Sequence, residues 1–182
     1  DEQARLAAEI AGKVLGLVGF GGIARETAQR ALALGMEVIA NDPFVDIDDP
    51  AWAQVARENE LFELLSKADV ISLHVPITEN THTILDTNAF AAMKPDAVLI
   101  NTARGGVVEE SALIDALKKG HLGGAALDVF VQEPMDAETG AAFSSLPNLI
   151  LTPHIAGVTG ESNVRVSAVT AENVRNALED KQ

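Results

Sequence analysis

Short apolar runs alternate with longer amphipathic segments along most of the chain. The apolar runs predict six strands, at residues 14–18, 37–40, 70–74, 97–101, 123–129 and 149–151. Apolar residues at helical spacing predict helices between them, near residues 22–34, 61–67, 86–93 and 109–118. This alternation is typical of βαβ units. We therefore expect an α/β fold, a doubly wound Rossmann-type parallel sheet with helices on both faces.

The two remaining segments have weaker or isolated patterns. Residues 160–179 predict a final helix with one apolar face, marked by Val164, Ala168, Ala171, Val174 and Leu178. Residues 46–58 follow neither period, so we expect a surface loop that contains a short helix. The 182 residues, of which 47% are hydrophobic, suit one domain with a full core.

Composition narrows the possible functions. Asp and Glu number 27 against 13 Lys and Arg, which gives a net charge of −14 and argues against nucleic acids and anionic membranes as partners. The sequence has no cysteine, and its four scattered histidines show no metal-ligand spacing, so we expect no metal site. No apolar run reaches membrane-spanning length, and the N-terminal residues do not resemble a signal peptide. The default expectation is a cytoplasmic protein.

A glycine-rich loop, VGFGGIA at residues 18–24, follows the first predicted strand and opens the first predicted helix. In this context Gly19 permits a sharp turn, Gly21 lets the backbone approach a pyrophosphate, and Ala24 lets the helix pack closely on the strand. Gly22 and Ile23 would then place helix N-terminal N–H groups at the phosphates. A tight turn without a ligand is the alternative interpretation.

An acidic residue ends the second predicted strand. Asp42 follows the glycine loop by about the number of residues after which an acidic side chain hydrogen-bonds the ribose 2′-hydroxyl of NAD. A carboxylate there would repel the 2′-phosphate of NADP. We therefore predict NAD as the cofactor. Asp42 precedes a proline, so an ordinary turn residue is the alternative.

Three later stretches carry a family resemblance: NTARGG at 101–106, LDVFVQEP at 127–134 and TPHIAG at 152–157. Together with the glycine loop, the Asp-Pro pair at 42–43 and LHVP at 73–76, they resemble the D-isomer-specific 2-hydroxyacid dehydrogenase family. The resemblance runs from about residue 13 to beyond residue 157, with the motifs in the family's order and spacing. It implies an NAD-dependent oxidoreductase that interconverts a small 2-hydroxy acid and its 2-oxo acid.

The resemblance also implies catalytic roles. Arg104 matches the arginine that grips the substrate carboxylate and polarises its carbonyl, a task suited to a planar, permanently charged fork. His154 matches the acid and base, and Glu133 matches the carboxylate paired with it. Formate dehydrogenases of the superfamily have glutamine at that position, so Glu133 favours an oxo-acid reductase. A structural ion pair for Arg104 and a structural role for His154 are the alternatives.

Further residues match cofactor contacts of the family. Asp128 matches an aspartate near the nicotinamide carboxamide, and the other matches line the cofactor: His74, Pro76, Thr102, Ala103 and Gly157. Turn residues at strand ends have ordinary structural uses, which remain the alternative here.

Family members are longer than this chain, because they also contain a substrate-binding domain. We therefore expect residues 1–182 to form a single NAD-binding domain, with residues 1–11 and 160–182 as connecting helices to an absent substrate domain. The resemblance further implies a homodimer formed through the cofactor domain. Relatives of this fold also include transcriptional corepressors, so an NAD(H)-sensing protein without turnover is the second functional hypothesis.

Overall fold

The computed structural model describes residues 9–146 and 148–179. Seven parallel strands form one sheet in the order β3-β2-β1-β4-β5-β6-β7. The strands are β1 (Val14–Val18), β2 (Glu37–Asn41), β3 (Ala56–Arg57), β4 (Val70–Leu73), β5 (Val98–Asn101), β6 (Gly124–Leu127) and β7 (Leu149–Leu151). The predicted doubly wound α/β fold is confirmed.

Within the described residues, six α-helices accompany the sheet: α1 (Gly22–Ala33), α2 (Leu61–Lys67), α3 (Thr87–Ala92), α4 (Glu110–Lys118), α5 (Ala137–Ser144) and α6 (Gly160–Glu179). Two short 3₁₀ turns, Pro50–Gln54 and Gly105–Val107, lie in the connections. Helix α1 packs on one face of the sheet, in a core cluster with the β1 residues Leu15 and Leu17. Helices α2, α3 and α4 contribute to a second cluster on the other face.

Strand β1 shows why both faces need apolar or small residues. Leu17 faces α1, whereas Gly16 and Val18 face the second cluster. A Cβ at Gly16 would lie 2.7 Å from Cδ2 of Leu64 in α2, so a larger residue would force the helix off the sheet. The strand is buried on both sides, as parallel sheets usually are.

Two elements of the structure were not predicted from the sequence. Strand β3 has only two residues, which pair with Ile39 and Ala40 of β2, and such a short strand has no alternating pattern of its own. Helix α5 buries only Phe143, and its first turn is capped by the Asp136 side chain, which accepts a hydrogen bond from the Thr139 N–H at 2.8 Å. The short helix expected within residues 46–58 is present as the 3₁₀ turn Pro50–Gln54. The other predicted elements end within two residues of their observed bounds.

The carboxyl ends of all seven strands lie at one edge of the sheet, because the strands are parallel. The strand order reverses between β1 and β4, and this switch point is where doubly wound sheets open a ligand crevice. The glycine loop follows β1, and the LHVP segment begins at Leu73, the last residue of β4. The predicted cofactor residues of these two segments therefore lie around this crevice.

The end of the chain presents apolar surface. Helix α6 buries none of its residues, and Val164 and Leu178 are among its exposed apolar side chains. On the sheet, Ile100, Ala126 and Ile150 are aligned across β5, β6 and β7, and Ile150 is 66% exposed.

The connecting segments expected at 1–11 and 160–182 are only partly described. Residues 1–8 and 180–182 lie outside the described residues, and residues 10–12 form a bend and turn where a helix is expected. Helix α6 is continuous from Gly160 to Glu179. Among residues 9–146 and 148–179, no helix combines the length and hydropathy needed to cross a membrane.

Candidate active site

The glycine loop has the backbone that its sequence predicts. Gly19 has a φ of +89°, and a Cβ there would lie 2.8 Å from the His74 carbonyl oxygen. Helix α1 begins at Gly22, and its N-cap residue Gly21 offers no side chain to its N–H groups. A Cβ at Gly21 or Gly22 would meet no atom within 4 Å. The first turn of α1 therefore presents free N–H groups to open space, which suits an anionic pyrophosphate.

Asp42 lies beside this loop, immediately after β2. Its Oδ2 accepts a hydrogen bond from the Phe20 N–H at 2.8 Å, and its Oδ1 accepts one from the Phe44 N–H at 2.9 Å. These two bonds fix the carboxylate at the end of the strand, next to the glycine loop. A 2′-phosphate placed here would meet a fixed negative charge.

A cavity of about 270 Å³ opens between the loops that follow β1, β4 and β5. Eight of the predicted site residues line it: Gly21, Gly22, Ile23, His74, Pro76, Thr102, Ala103 and Arg104. The structure thus brings together three motifs that are far apart in sequence.

His74 is half-buried at this crevice. Its Nε2 lies 3.0 Å from the hydroxyl of buried Ser72, two residues earlier in the chain. Burial lowers the pKa of the His74 ring below its ordinary value. Burial therefore favours the neutral form of the ring, which contributes polarity without charge.

The loop that carries Arg104 is held by Asn101, a residue for which no role is predicted from the sequence. Asn101 is 1% exposed at the end of β5, where its Oδ1 accepts from the Ala103 N–H and its Nδ2 donates to the Arg104 carbonyl, both at 3.0 Å. A polar residue ending an apolar strand is the signal that could have identified it. Within residues 9–146 and 148–179, the Arg104 guanidinium forms no ion pair, and it donates to the Ala103 carbonyl oxygen at 2.6 Å. Its charge therefore stays available at the crevice.

Glu133 and His154 meet at a second, larger cavity. Nδ1 of His154 lies 2.7 Å from Oε2 of Glu133, and Oε1 of Glu133 accepts a hydrogen bond from the Phe130 N–H at 2.9 Å. The bond with His154, and then the bond with Phe130, hold the pKa of Glu133 below its ordinary value. The cavity measures about 670 Å³, and apolar Phe130, Met135 and Leu151 contribute to its walls.

Asp128 fixes the backbone around His154. This carboxylate is 3% exposed and accepts hydrogen bonds from the Thr152 hydroxyl at 2.5 Å and from the N–H groups of Ile155 and Ala156, each at 2.9 Å. Burial alone would raise the pKa of Asp128, but these three bonds and the nearby His154 outweigh it and lower the pKa. His154 itself has a φ of +54°, a conformation that needs support from its surroundings in a non-glycine residue.

The remaining predicted residue, Gly157, lies in the loop beyond Ala156 and lines neither cavity. Its carbonyl oxygen accepts a hydrogen bond from the Ser162 hydroxyl at 2.7 Å. In the part of the chain that the structure describes, no group of three or more His, Asp or Glu side chains is arranged to hold a metal ion.

The parallel sheet, the glycine loop and the crevice at the switch point define a dinucleotide-binding domain of the Rossmann type. The comparisons with known proteins identify the family: residues 1–156 match the NAD-binding domain of D-isomer-specific 2-hydroxyacid dehydrogenases, and the chain belongs to that family. The family, the fold and the NAD cofactor expected from the sequence are confirmed.

Individual relatives agree with this assignment. The (S)-sulfolactate dehydrogenase of Chromohalobacter salexigens is 56% identical over 176 residues, which cover 97% of this chain and 56% of that protein. A glyoxylate reductase structure from Paecilomyes thermophila is 32% identical with a TM-score of 0.90, covering 100% of this chain and 54% of that chain. A D-lactate dehydrogenase from Aquifex aeolicus, complexed with NAD and lactic acid, is 34% identical with a TM-score of 0.87, covering 99% and 57%. The chain spans little more than half the length of these relatives.

Proposed function

We propose that this chain is the NAD-binding and catalytic half of an oxidoreductase that transfers hydride between NAD(H) and a small 2-hydroxy or 2-oxo acid. The observation that supports this most strongly is the contact between His154 Nδ1 and Glu133 Oε2, at the same sheet edge as the dinucleotide crevice. A titratable pair beside a nucleotide site is what a coupled hydride and proton transfer requires.

Bound NADH would supply the hydride, and the residues of this chain would supply position, charge and a proton. Because Glu133 binds Nδ1, the other ring nitrogen of His154 is left for the substrate oxygen. His154 would donate a proton from Nε2 to the ketone oxygen during reduction and accept it from the hydroxyl in the reverse direction. The Glu133 carboxylate would hold the ring and stabilise its protonated form.

Arg104 would bind the substrate carboxylate and polarise the carbonyl. Its exposed guanidinium at the crevice edge, with its backbone fixed by Asn101, supports this role. A bidentate, permanently charged group suits a carboxylate better than lysine does.

The cofactor residues follow the same geometry. The open N–H groups of the first turn of α1 would bind the pyrophosphate, and Asp42 would bind the ribose hydroxyls and disfavour NADPH. His74, Pro76, Thr102 and Ala103 would line the cofactor. Asp128 and Gly157 would lie near its nicotinamide end, although the carboxylate of Asp128 already accepts three hydrogen bonds from the chain.

The chain would form a single domain that works against a second, substrate-binding domain. Both members of the catalytic pair are partly exposed to solvent, since the side chains of His154 and Glu133 are 50% and 36% exposed. Closure of a second domain would exclude water from them.

The similarity to a sulfolactate dehydrogenase supports a sulfonated 2-hydroxy acid as the first substrate to test. The uncovered apolar row of Ile100, Ala126 and Ile150 is compatible with a homodimer.

Steady-state assays on a protein that carries this chain together with a substrate domain test the proposal. We expect NADH-dependent reduction of at least one acid in a panel of 2-oxo acids that includes 3-sulfopyruvate. Binding of NADH without turnover of any panel member, together with an NADH-sensitive protein partner, would instead support the NAD(H)-sensing alternative.

A further inference from the structure

The loop that carries Glu133 is attached to a helix that has no part in the proposed chemistry. The backbone N–H of Val131 donates a hydrogen bond to Oε1 of Glu110 at 2.8 Å, across 21 positions in the sequence. Glu110 is the first residue of α4, and its side chain is half-buried whereas Val131 is exposed. This bond therefore joins the start of α4 to the segment that follows β6.

The same segment is fixed at two neighbouring points. The Phe130 N–H donates to Oε1 of Glu133, so that Glu133 binds its own loop with one oxygen and His154 with the other. The backbone of Gly105 lies against the 130–131 peptide so closely that a Cβ at Gly105 would be 1.9 Å from the carbonyl carbon of Phe130. Gly105 follows Arg104 directly. The peptide between Phe130 and Val131 thus lies against the loop of Arg104 and within the segment of Glu133, whose side chain contacts His154.

The position of Glu110 explains why this carboxylate is suited to the task. It lies in the first turn of α4, where negative charge is favoured by the helix dipole, and Glu109 lies in the cap position just before it. The two glutamates have different partners. Glu109 Oε1 accepts a hydrogen bond from the nearby Ser111 hydroxyl at 3.3 Å, whereas Glu110 reaches the segment after β6.

We propose that Glu110 is a positioning residue of the proton-transfer pair. By holding the Val131 N–H, it fixes the 130–131 peptide and so the backbone of Phe130, whose own N–H donates to the Glu133 carboxylate. Glu110 acts through Glu133 and touches neither substrate nor cofactor. The inference rests on the proposed function of the Glu133–His154 pair.

The test is a pH titration of the Glu133 side-chain carboxyl carbon by NMR in the 182-residue chain, with the signal assigned by its loss in Glu133→Gln. In the unmodified chain the pKa of Glu133 lies below its ordinary value. In Glu110→Ala we expect the pKa of Glu133 to rise toward that ordinary value, because the loop no longer holds the carboxylate against its two donors.

Two control variants separate the hydrogen bond from the charge. Glu110→Gln removes the charge but keeps a carbonyl oxygen that accepts from Val131, and Glu109→Ala removes a charge one residue away. Loss of a nearby negative charge by itself would lower the pKa of Glu133, which is opposite to the expected change. We therefore expect the rise in Glu110→Ala only, with rescue by Glu110→Gln.

Hydrogen exchange of the unmodified chain provides a measurement that needs no variant. The Val131 amide should exchange at least about tenfold more slowly than the Gln132 amide, which has no partner among the described residues. Equal exchange of the two amides, or the same Glu133 titration in Glu110→Ala as in the unmodified chain, would overturn the positioning role. Failure of the proposed function would be seen separately, as absence of 2-oxo acid turnover while these NMR results hold.

Discussion

His154 Nδ1 lies 2.7 Å from Glu133 Oε2, although 21 positions separate the two residues in the sequence. The contact forms because Glu133 follows β6 and His154 follows β7, and these neighbouring parallel strands end at the same edge of the sheet. The Asp128 carboxylate also accepts hydrogen bonds from the Ile155 and Ala156 N–H groups, directly after His154 in the chain. The pairing of β6 with β7 and the buried carboxylate of Asp128 therefore place the two side chains together.

Substitution of either member of the pair should reduce turnover in a protein that carries this chain with a substrate domain. We expect His154→Asn to lower kcat by about 10²–10⁴, the usual contribution of a general acid or base. Glu133→Gln should lower kcat less and, in the reduction direction, move the alkaline limb of the pH profile to lower pH, because the protonated ring that donates the proton loses its carboxylate partner. Steady-state kinetics across pH checks both.

His121→Asn is the matched control for that experiment. His121 bonds the Phe90 carbonyl near α3, away from both cavities, so its replacement should leave the pH profile unchanged. If His154→Asn retained the kcat of the unmodified protein, His154 would not be the proton donor.

Asp128→Asn should destabilise the fold. An asparagine retains one acceptor oxygen but turns an amide NH₂ toward an N–H group, so a buried donor loses its partner at a cost of about 1–3 kcal/mol in the free energy of unfolding. Chemical denaturation at pH 7 measures this. The exposed Asp115→Asn, which removes an i,i+4 pair with Lys119, should cost no more than about 0.5 kcal/mol.

The cost of Asp128→Asn should depend on pH in a defined direction. Because the pKa of Asp128 is lower in the folded than in the unfolded chain, the charged carboxylate stabilises the fold above the unfolded pKa. That contribution is lost as the pH falls from about 4 through the folded pKa. The difference between the two proteins should therefore shrink toward pH 3, and a constant difference from pH 7 to pH 3 would contradict this account.

Gly105→Ala should be strongly destabilising, whereas Gly140→Ala should stabilise. A Cβ at Gly105 would overlap the backbone of Phe130 and Val131, and overpacking of this kind costs about 1–3 kcal/mol or more. A Cβ at Gly140, within α5, would meet only the flexible Met135 sulfur at 3.7 Å, so alanine should gain up to about 1 kcal/mol. Thermal unfolding of both variants checks the pair, and equal effects would argue against the close contact at Gly105.

Asp42→Asn should weaken the preference for NADH over NADPH. The variant removes the fixed negative charge but keeps an oxygen that accepts from the Phe20 N–H, and the N–H of exposed Phe44 can bond water instead, so the loop should hold its shape. We expect the dissociation constant of NADPH divided by that of NADH to fall by about tenfold, equivalent to about 1.4 kcal/mol. Asp46→Asn removes the same charge from the following loop and should leave the ratio unchanged; a similar fall in both variants would assign the effect to net charge.

The sequence predicts the fold and the crevice because both depend on local patterns. Alternating apolar and amphipathic segments define the parallel sheet, and the ends of parallel strands share one edge, so the glycine loop, LHVP and NTARGG must converge. Strand β3 and helix α5 were missed because two residues and a single buried phenylalanine leave no periodic signal.

The contacts that hold the site together were not predictable in the same way. Asn101, Glu110 and Thr152 are polar residues whose partners lie in loops fixed only by tertiary packing. The close approach of Gly105 to Phe130 also depends on how two loops pass each other. A sequence pattern indicates which residue types are present at a strand end, but not which of their hydrogen bonds form.

We infer that the described residues are sufficient to bind NAD(H). Titration of the 182-residue chain with NADH, followed by nicotinamide fluorescence and compared with NADPH, tests it most directly. We predict saturable binding with a clear preference for NADH. Absence of saturable binding by a chain that circular dichroism shows to be folded would contradict the claim.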